Sequence, residues 1–412
     1  MSAALRAFEG FGLEFEYMIV ECETLAVKPI ADVFLSDISQ SPAPPHNPAL
    51  SWSNELALHV VELKNPHPVA DIPSLRHGLE IEIKRANRLL EPRGAILMPG
   101  AMHPWMNPRT DTRLWPHEPR QVYEAFQRVF NCYSHGWSNV QSVQLNLPFS
   151  GDEEFARLHA ATRLILPLIP ALAAASPFVE GRPARYSDYR MHVVWRHQHR
   201  IKESMGQVIP DTLRSRAEYE ARVLTPMYAA IDAVDESGAL RQEWLDVRAA
   251  VPRFSRSAIE IRATDIQECP LADLAIAQAI AATIRWLYNL GDHELAAQQA
   301  LPTCVLAELM QSTIQSSGEA LVMEPRYLKL LHLPATVLTA STIWKHLLRR
   351  AEPALDAASA QSLEVILNQG TLSRRILRAI NSDLSRDRLT AVWRKLCQCL
   401  ADDQLFITPS LS

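Results

Sequence analysis

Residues 12–22 read GLEFEYMIVEC. Charged and apolar side chains alternate as far as Tyr17, and the segment then turns wholly apolar, the pattern of a β-strand with one face in a core and the other chemically active. On such a strand Glu14 and Glu16 project from the same side. Two carboxylates held that close repel each other unless a cation lies between them, and hard oxygen ligands of this kind suit Mg²⁺. An E-x-E pair also occurs on ordinary solvated strand faces, so its meaning depends on its neighbours.

Three further segments supply neighbours of matching chemistry. Residues 54–63, NELALHVVEL, read as a strand bearing Asn54, Glu55 and Glu62; Glu62 sits in an apolar run, where a carboxylate needs a partner. Residues 142–147, SVQLNL, alternate so that Gln144 and Asn146 point together, away from Val143, Leu145 and Leu147. Residues 258–262 form a short strand with Glu260 and Arg262 on one face, which suits either a structural ion pair or a guanidinium that holds phosphoryl oxygens as charge develops on them.

The intervening chain reads as a proline-rich loop at 41–48, a helix over 72–90, a short buried strand at 96–98, and a long proline- and tryptophan-rich loop to Pro119. A loop of that length is often functional. A helix is expected over 121–136, and another over 152–175 with interruptions at Pro167 and Pro170. Beyond Pro270 the chain turns to alanine- and leucine-rich helices up to about residue 402, with no strand expected among them.

The 412 residues are 48% hydrophobic and 21% charged, enough apolar surface for a sizeable core in one catalytic body. A net charge of -5 argues against a nucleic-acid protein, which carries a basic excess on one face, and points to small-molecule partners. The six cysteines have no CxxC spacing, no apolar run reaches the roughly 20 residues of a membrane span, and no secretory pattern opens the chain; a cytoplasmic protein is expected. His197 and His199 lie between Arg196 and Arg200, a poor setting for zinc. There is no P-loop or Gly-x-Gly-x-x-Gly sequence.

In order, these segments resemble the glutamate–cysteine ligases of the plant and proteobacterial type and the related carboxylate–amine ligases. The resemblance is most specific between residues 143 and 195, where VQLNLPFS and ASPFVEGRPARYSDYRMHVVW are similar to a Q-x-N-L strand, an SPF-x-EG turn and an S-x-x-R-x-H segment. Gly100-Ala101-Met102-His103-Pro104 is similar to a G-x-HP motif of the carboxylate–amine ligases, and Gln369-Gly370-Thr371 with Arg374-Arg375 to a glycine and arginine segment near their end, to which no role is assigned. The likeness covers roughly residues 10 to 290; residues 105–119 have no clear counterpart.

The resemblance implies an α+β fold like that of glutamine synthetase: a curved antiparallel sheet forming a funnel, flanked by helices, with ATP and two or three Mg²⁺ ions at its inner face. It implies a catalytic domain over 1–290 and a helical C-terminal region over 291–412 packed on the same body, with an oligomer left open. Residue by residue it makes Glu14, Glu16, Glu55, Glu62, Gln144 and Glu260 candidate metal ligands and Arg262 the candidate for stabilising the transferring phosphoryl group. Asn146, Arg190, His103 and Tyr186 become candidates for substrate binding, with His192 beside Arg190, and His103 and Trp105 lie in the long loop as candidates for lining an acceptor pocket. The implied reaction is ATP-dependent amide formation between the γ-carboxylate of glutamate and cysteine, through an acyl phosphate, as in glutathione biosynthesis. Two alternatives stand beside it: the same chemistry with another amine, and a catalytically silent relative that binds a nucleotide or a partner.

Overall fold

In the computed structural model, residues 5–42, 49–351 and 354–408 are described; most of the expected loop at 41–48 lies outside them. The E-x-E segment forms strand β1 (Gly12–Glu21), with Leu13, Phe15 and Tyr17 fully buried and Glu14 and Glu16 half-buried on the opposite side. The alternation read from the sequence is thus the alternation of the two faces.

Around β1 the sheet adds β2 (Ser51–Asn54), β3 (Val60–Lys64), β4 (Ala95–Met98), β5 (Ser142–Pro148), β6 (Ala250–Arg253) and β7 (Ala258–Asp265). The order is β2-β3-β1-β5-β7-β6, with β4 paired to the far half of β1, and every pairing is antiparallel. Register sets the chemistry of the face, because residues opposite each other on neighbouring strands point the same way. Ser53, Glu62 and Glu16 stand in one row, Lys64, Glu14 and Gln144 in the next, and Asn146 and Glu260 in the one after.

The other face carries Phe15, Leu63, Val143, Leu145 and Ile261 into the main core. Behind it runs helix Pro270–Tyr288, buried along most of its length and touching β5 and helices Arg76–Leu90 and Gly151–Ile165. Helices Ala340–Ala351 and Ala357–Gln369 pack on that central helix. The C-terminal helix Arg386–Asp402 lies over β4 and helix Arg76–Leu90, closing a second apolar cluster of Met18, Met98, Phe178 and Trp393.

Several expectations need correction. The strand read over 54–63 is two strands: Val60 N–H donates to the Ala57 carbonyl at 2.9 Å in a turn, while Leu56 and Leu58 bond to Trp115 and Arg113 of the long loop. The helix read over 121–136 is Arg120–Phe130, ended by Asn131 in the left-handed region (φ 59), and a separate short helix, His135–Ser138, follows. Edge strand β6 was not expected, because Pro252 argues against a strand except at an edge. Helix Tyr189–His197 was not expected either; Asp188 caps it by accepting from Met191 N–H. The C-terminal half also holds a small ladder, Leu321–Val322 with Leu338–Thr339.

Candidate active site

The polar face of the sheet forms one wall of a cavity of about 620 Å³. Glu14, Glu16, Glu62 and Gln144 line it from the central strands, Glu55 from the turn after β2, and Glu260 and Arg262 from β7. Carboxylate oxygens of Glu16, Glu55 and Glu62 all lie within 4.8 Å of one another. Glu16 and Glu62 are placed by neighbours of known register. Ser142 N–H donates to Glu16 Oε2 at 2.7 Å and Gln144 Nε2 to Glu16 Oε1 at 3.2 Å. Ser53 Oγ donates to Glu62 at 2.9 Å, and Lys64 Nζ pairs with the same oxygen.

Burial, with Glu62 and Glu260 nearby, pushes the Glu14 carboxyl up to about 7. Burial and Glu62 do the same to Glu16, also to about 7. Glu55 is pushed well up by burial, Glu62 and Glu16. Three carboxyls that resist ionising on their own, gathered beside the Glu62–Lys64 pair, are the donor chemistry that a hard divalent cation fits.

Glu260 differs from those three. One of its oxygens pairs with Arg262 and the other with Arg253 at 3.2 Å. Burial would raise its pKa, yet Arg262 and Arg253 outweigh that and hold it low. The ion pair and the site are therefore the same object: Glu260 positions Arg262, whose guanidinium keeps partial access to the cavity.

The remaining expected residues fall in different places. Asn146 donates to Glu14 Oε1 at 3.1 Å, standing behind that carboxylate and outside the cavity lining. Arg190 reaches the cavity edge, but its side chain is 4% exposed and paired with the fully buried Asp265. It also donates to the Arg262 carbonyl at 3.4 and 3.3 Å, so it braces the strand that carries Arg262. His103 is fully buried away from the cavity: Nδ1 accepts from Met106 N–H at 2.9 Å, which leaves Nε2 to donate to the Leu25 carbonyl at 2.8 Å. Trp105 packs edge-on against His103 and Trp393 in the same cluster. Tyr186 stacks on His192 (3.7 Å between centroids) in a separate, smaller cavity with Trp195 and Arg196. The structure thus gathers the other sheet residues around the cavity, sets Asn146 behind Glu14, and leaves the loop residues His103 and Tyr186 outside.

Sequence reading passed over Lys64, Arg253 and Arg248, and an apolar wall of Tyr123, Phe126, Trp137 and Trp244. Lys64 had a legible signal, since it follows Glu62 by two residues on one strand face. The aromatic wall had none, because its members meet only after folding, with Phe126 4.9 Å from Trp137 and 5.3 Å from Trp244 between centroids.

Solved structures of similar fold include a bifunctional glutathione synthetase from Pasteurella multocida (TM-score 0.60, 15% identity, 96% of this chain and 53% of that one). A glutamate–cysteine ligase from Francisella tularensis in complex with AMP aligns with TM-score 0.56 at 12% identity, over 97% of this chain and 90% of that one. The chain therefore spans about half of the Pasteurella protein and most of the Francisella one. In sequence, it is 30% identical to an uncharacterized protein of Archaeoglobus fulgidus over 86% of this chain and 88% of that one. It is 26% identical to a "Putative glutamate--cysteine ligase 2" of Streptomyces coelicolor over 88% and 92%.

The protein is an ATP-dependent carboxylate–amine ligase, with an antiparallel sheet that carries its acidic face into the cavity. It belongs to glutamate–cysteine ligase family 2, whose model matches residues 10–382.

Proposed function

We propose that this cavity joins the γ-carboxylate of glutamate to the amino group of cysteine. The observation that carries the reading is the single sheet face on which Glu16, Glu55 and Glu62 gather and, from β7, Arg262 is held by Glu260. A carboxylate oxygen attacks the γ-phosphorus of ATP, the bond to ADP breaks, and an acyl phosphate forms. The amine nitrogen then attacks the acyl carbon, loses a proton, and expels phosphate together with its bridging oxygen. Glu14, Glu16, Glu55, Glu62 and Gln144 are the residues to hold Mg²⁺. Bound there, such ions would neutralise phosphate charge through both transfers.

Arg262 meets the charge that develops on the phosphoryl oxygens, and Glu260 fixes its direction. Arg190 acts through the Arg262 backbone. The aromatic wall gives the cavity an apolar side opposite in character to its acidic sheet face. All six cysteines are unpaired, which suits the reducing cytoplasm; no helix of the described residues is long and apolar enough to cross a membrane.

The test is phosphate release from ATP and Mg²⁺ by the purified protein with glutamate alone, then with glutamate plus cysteine or each of a panel of other amines. Release that requires both glutamate and cysteine supports the proposal. Release with a different amine only transfers the chemistry to another acceptor, and none with any pair leaves a silent relative.

A further inference from the structure

A second cavity, of about 590 Å³, opens where the segment leading into helix Tyr189–His197 meets the C-terminal helices. It shares no lining residue with the catalytic cavity. Ser187, Ser317 and Thr371 give it hydroxyl groups, and helix Leu372–Ile380 gives it Arg374 and Arg378.

The charge on that helix is unusual. The amino-terminal end of a helix is partly positive and ordinarily takes acidic side chains. This helix has no acidic residue in its first turn, and three arginines, Arg374, Arg375 and Arg378, follow within two turns. Arg375 is neutralised by Glu268 in a wholly buried pair, and Arg374 pairs with Glu319 at the surface. Among the described residues, Arg378 has no carboxylate partner; it is half-buried, and burial together with the charges of Arg374 and Arg375 holds its pKa down. Gly370 keeps the Arg374 stem folded over the entry turn: its φ is +87°, and a Cβ there would meet Arg374 Cδ at 2.7 Å. Glu319, which also lines the cavity, answers Arg374, so the wall carries one charge unanswered, that of Arg378.

We infer that this second cavity binds a small anion, a metabolite bearing a phosphate or carboxylate group, on Arg378. Its occupant would lie against a segment that leads directly to the catalytic sheet. The Ser187 carbonyl accepts from Ser373 of the arginine helix. The next residue, Asp188, caps the helix that carries Arg190, and Arg190 donates to the Arg262 carbonyl. The anion site and the phosphoryl-transfer site are therefore joined through four consecutive residues.

The test uses the full chain without ATP, titrated with inorganic phosphate and separately with citrate at constant ionic strength, with melting temperature and calorimetry as readouts. Phosphate as a product also fits the catalytic cavity, so Arg262→Ala and Arg378→Ala separate the two sites. The wild-type protein and Arg262→Ala are expected to show saturable binding of at least one probe. Arg378→Ala is expected to weaken it tenfold or more, Arg378→Lys to restore most of it, and the probe that binds tighter identifies phosphate or carboxylate as the ligand class. Arg378→Gln, which keeps the polar stem, must repeat the loss, so that a folding defect in the alanine variant cannot stand in for it. No saturable binding of either probe, binding that survives both neutral variants, or binding lost in Arg262→Ala instead would overturn the inference.

Discussion

Arg190 donates directly to the Arg262 carbonyl, yet removing the two arginines should do different things. Arg262 meets the cavity, and its partner Glu260 keeps Arg253 if Arg262 is lost. Arg262→Ala is therefore expected to leave the melting temperature nearly unchanged and to cut turnover by roughly 10²–10³-fold, the scale of one lost transition-state donor. Arg190→Ala strands the fully buried Asp265 carboxylate, and breaking a buried pair from one side costs about 3–5 kcal/mol, so a large fall in stability by urea titration is expected. Equal stability of the two variants would contradict the division of roles.

The carboxylates predict a pH signature. Glu14 and Glu16 rise from 4.5 to about 7 in the folded chain, so between those values the folded state holds more protons than the unfolded one. Their contribution to stability therefore falls as pH rises through that window, and the penalty is complete above about 7. The buried histidines act oppositely: burial lowers His59 to about 4 and His103 and His159 to about 3, so stability is lost as pH falls below 6.5. Comparing melts with and without Mg²⁺ cancels the histidines. The gain from saturating Mg²⁺ should be larger at pH 8 than at pH 6; a gain independent of pH would show that these carboxylates do not bind the ion.

Strand periodicity made most of this site legible, because a period of two fixes a face without any knowledge of what packs on it. Glu14, Glu16, Glu62, Gln144, Glu260 and Arg262 were readable for that reason. His103 and Tyr186 were not, since no period governs a loop and only the folded chain sends His103 to the Leu25 carbonyl.

Among the elements, the hairpin β2–β3 escaped sequence reading because its turn, residues 55–59, contains neither glycine nor proline. Its conformation comes instead from distant partners, Arg113 and Trp115. Helix Tyr189–His197 likewise depends on its seat. It packs on the short helix His135–Ser138, where a Cβ on Gly136 would meet His197 Cβ at 2.7 Å and the Val193 carbonyl at 3.3 Å. Gly136→Ala should force that helix outward, costing about 1–3 kcal/mol and lowering turnover by displacing Arg190. Hydrogen exchange that is faster over 189–197 than in the wild type would be the sign of it, and unchanged exchange would mean that the seat yields.

Across the whole molecule, the helices beyond residue 290 are built into the catalytic body. Trp344 Nε1 donates to the Leu168 carbonyl, Tyr327 OH to the Leu164 carbonyl, and Arg375 pairs with Glu268 just past β7, all in the buried interior. Composition announced these helices but not their anchors, because which carboxylate meets Arg375 is a tertiary fact. A chain cut after residue 290 is expected to be insoluble or molten, with no cooperative unfolding transition; a cooperative melt would show that the sheet and its first helices stand alone.

The proposed reaction activates a carboxylate by phosphoryl transfer in the cavity over β1, β5 and β7. The most direct measurement is oxygen transfer from glutamate labelled with ¹⁸O in its γ-carboxylate, incubated with ATP, Mg²⁺ and the amine that supports turnover. Mass spectrometry of the released phosphate should find one ¹⁸O atom in each phosphate formed, the bridging oxygen of the acyl phosphate. Unlabelled phosphate, released while the amide accumulates, would contradict the account.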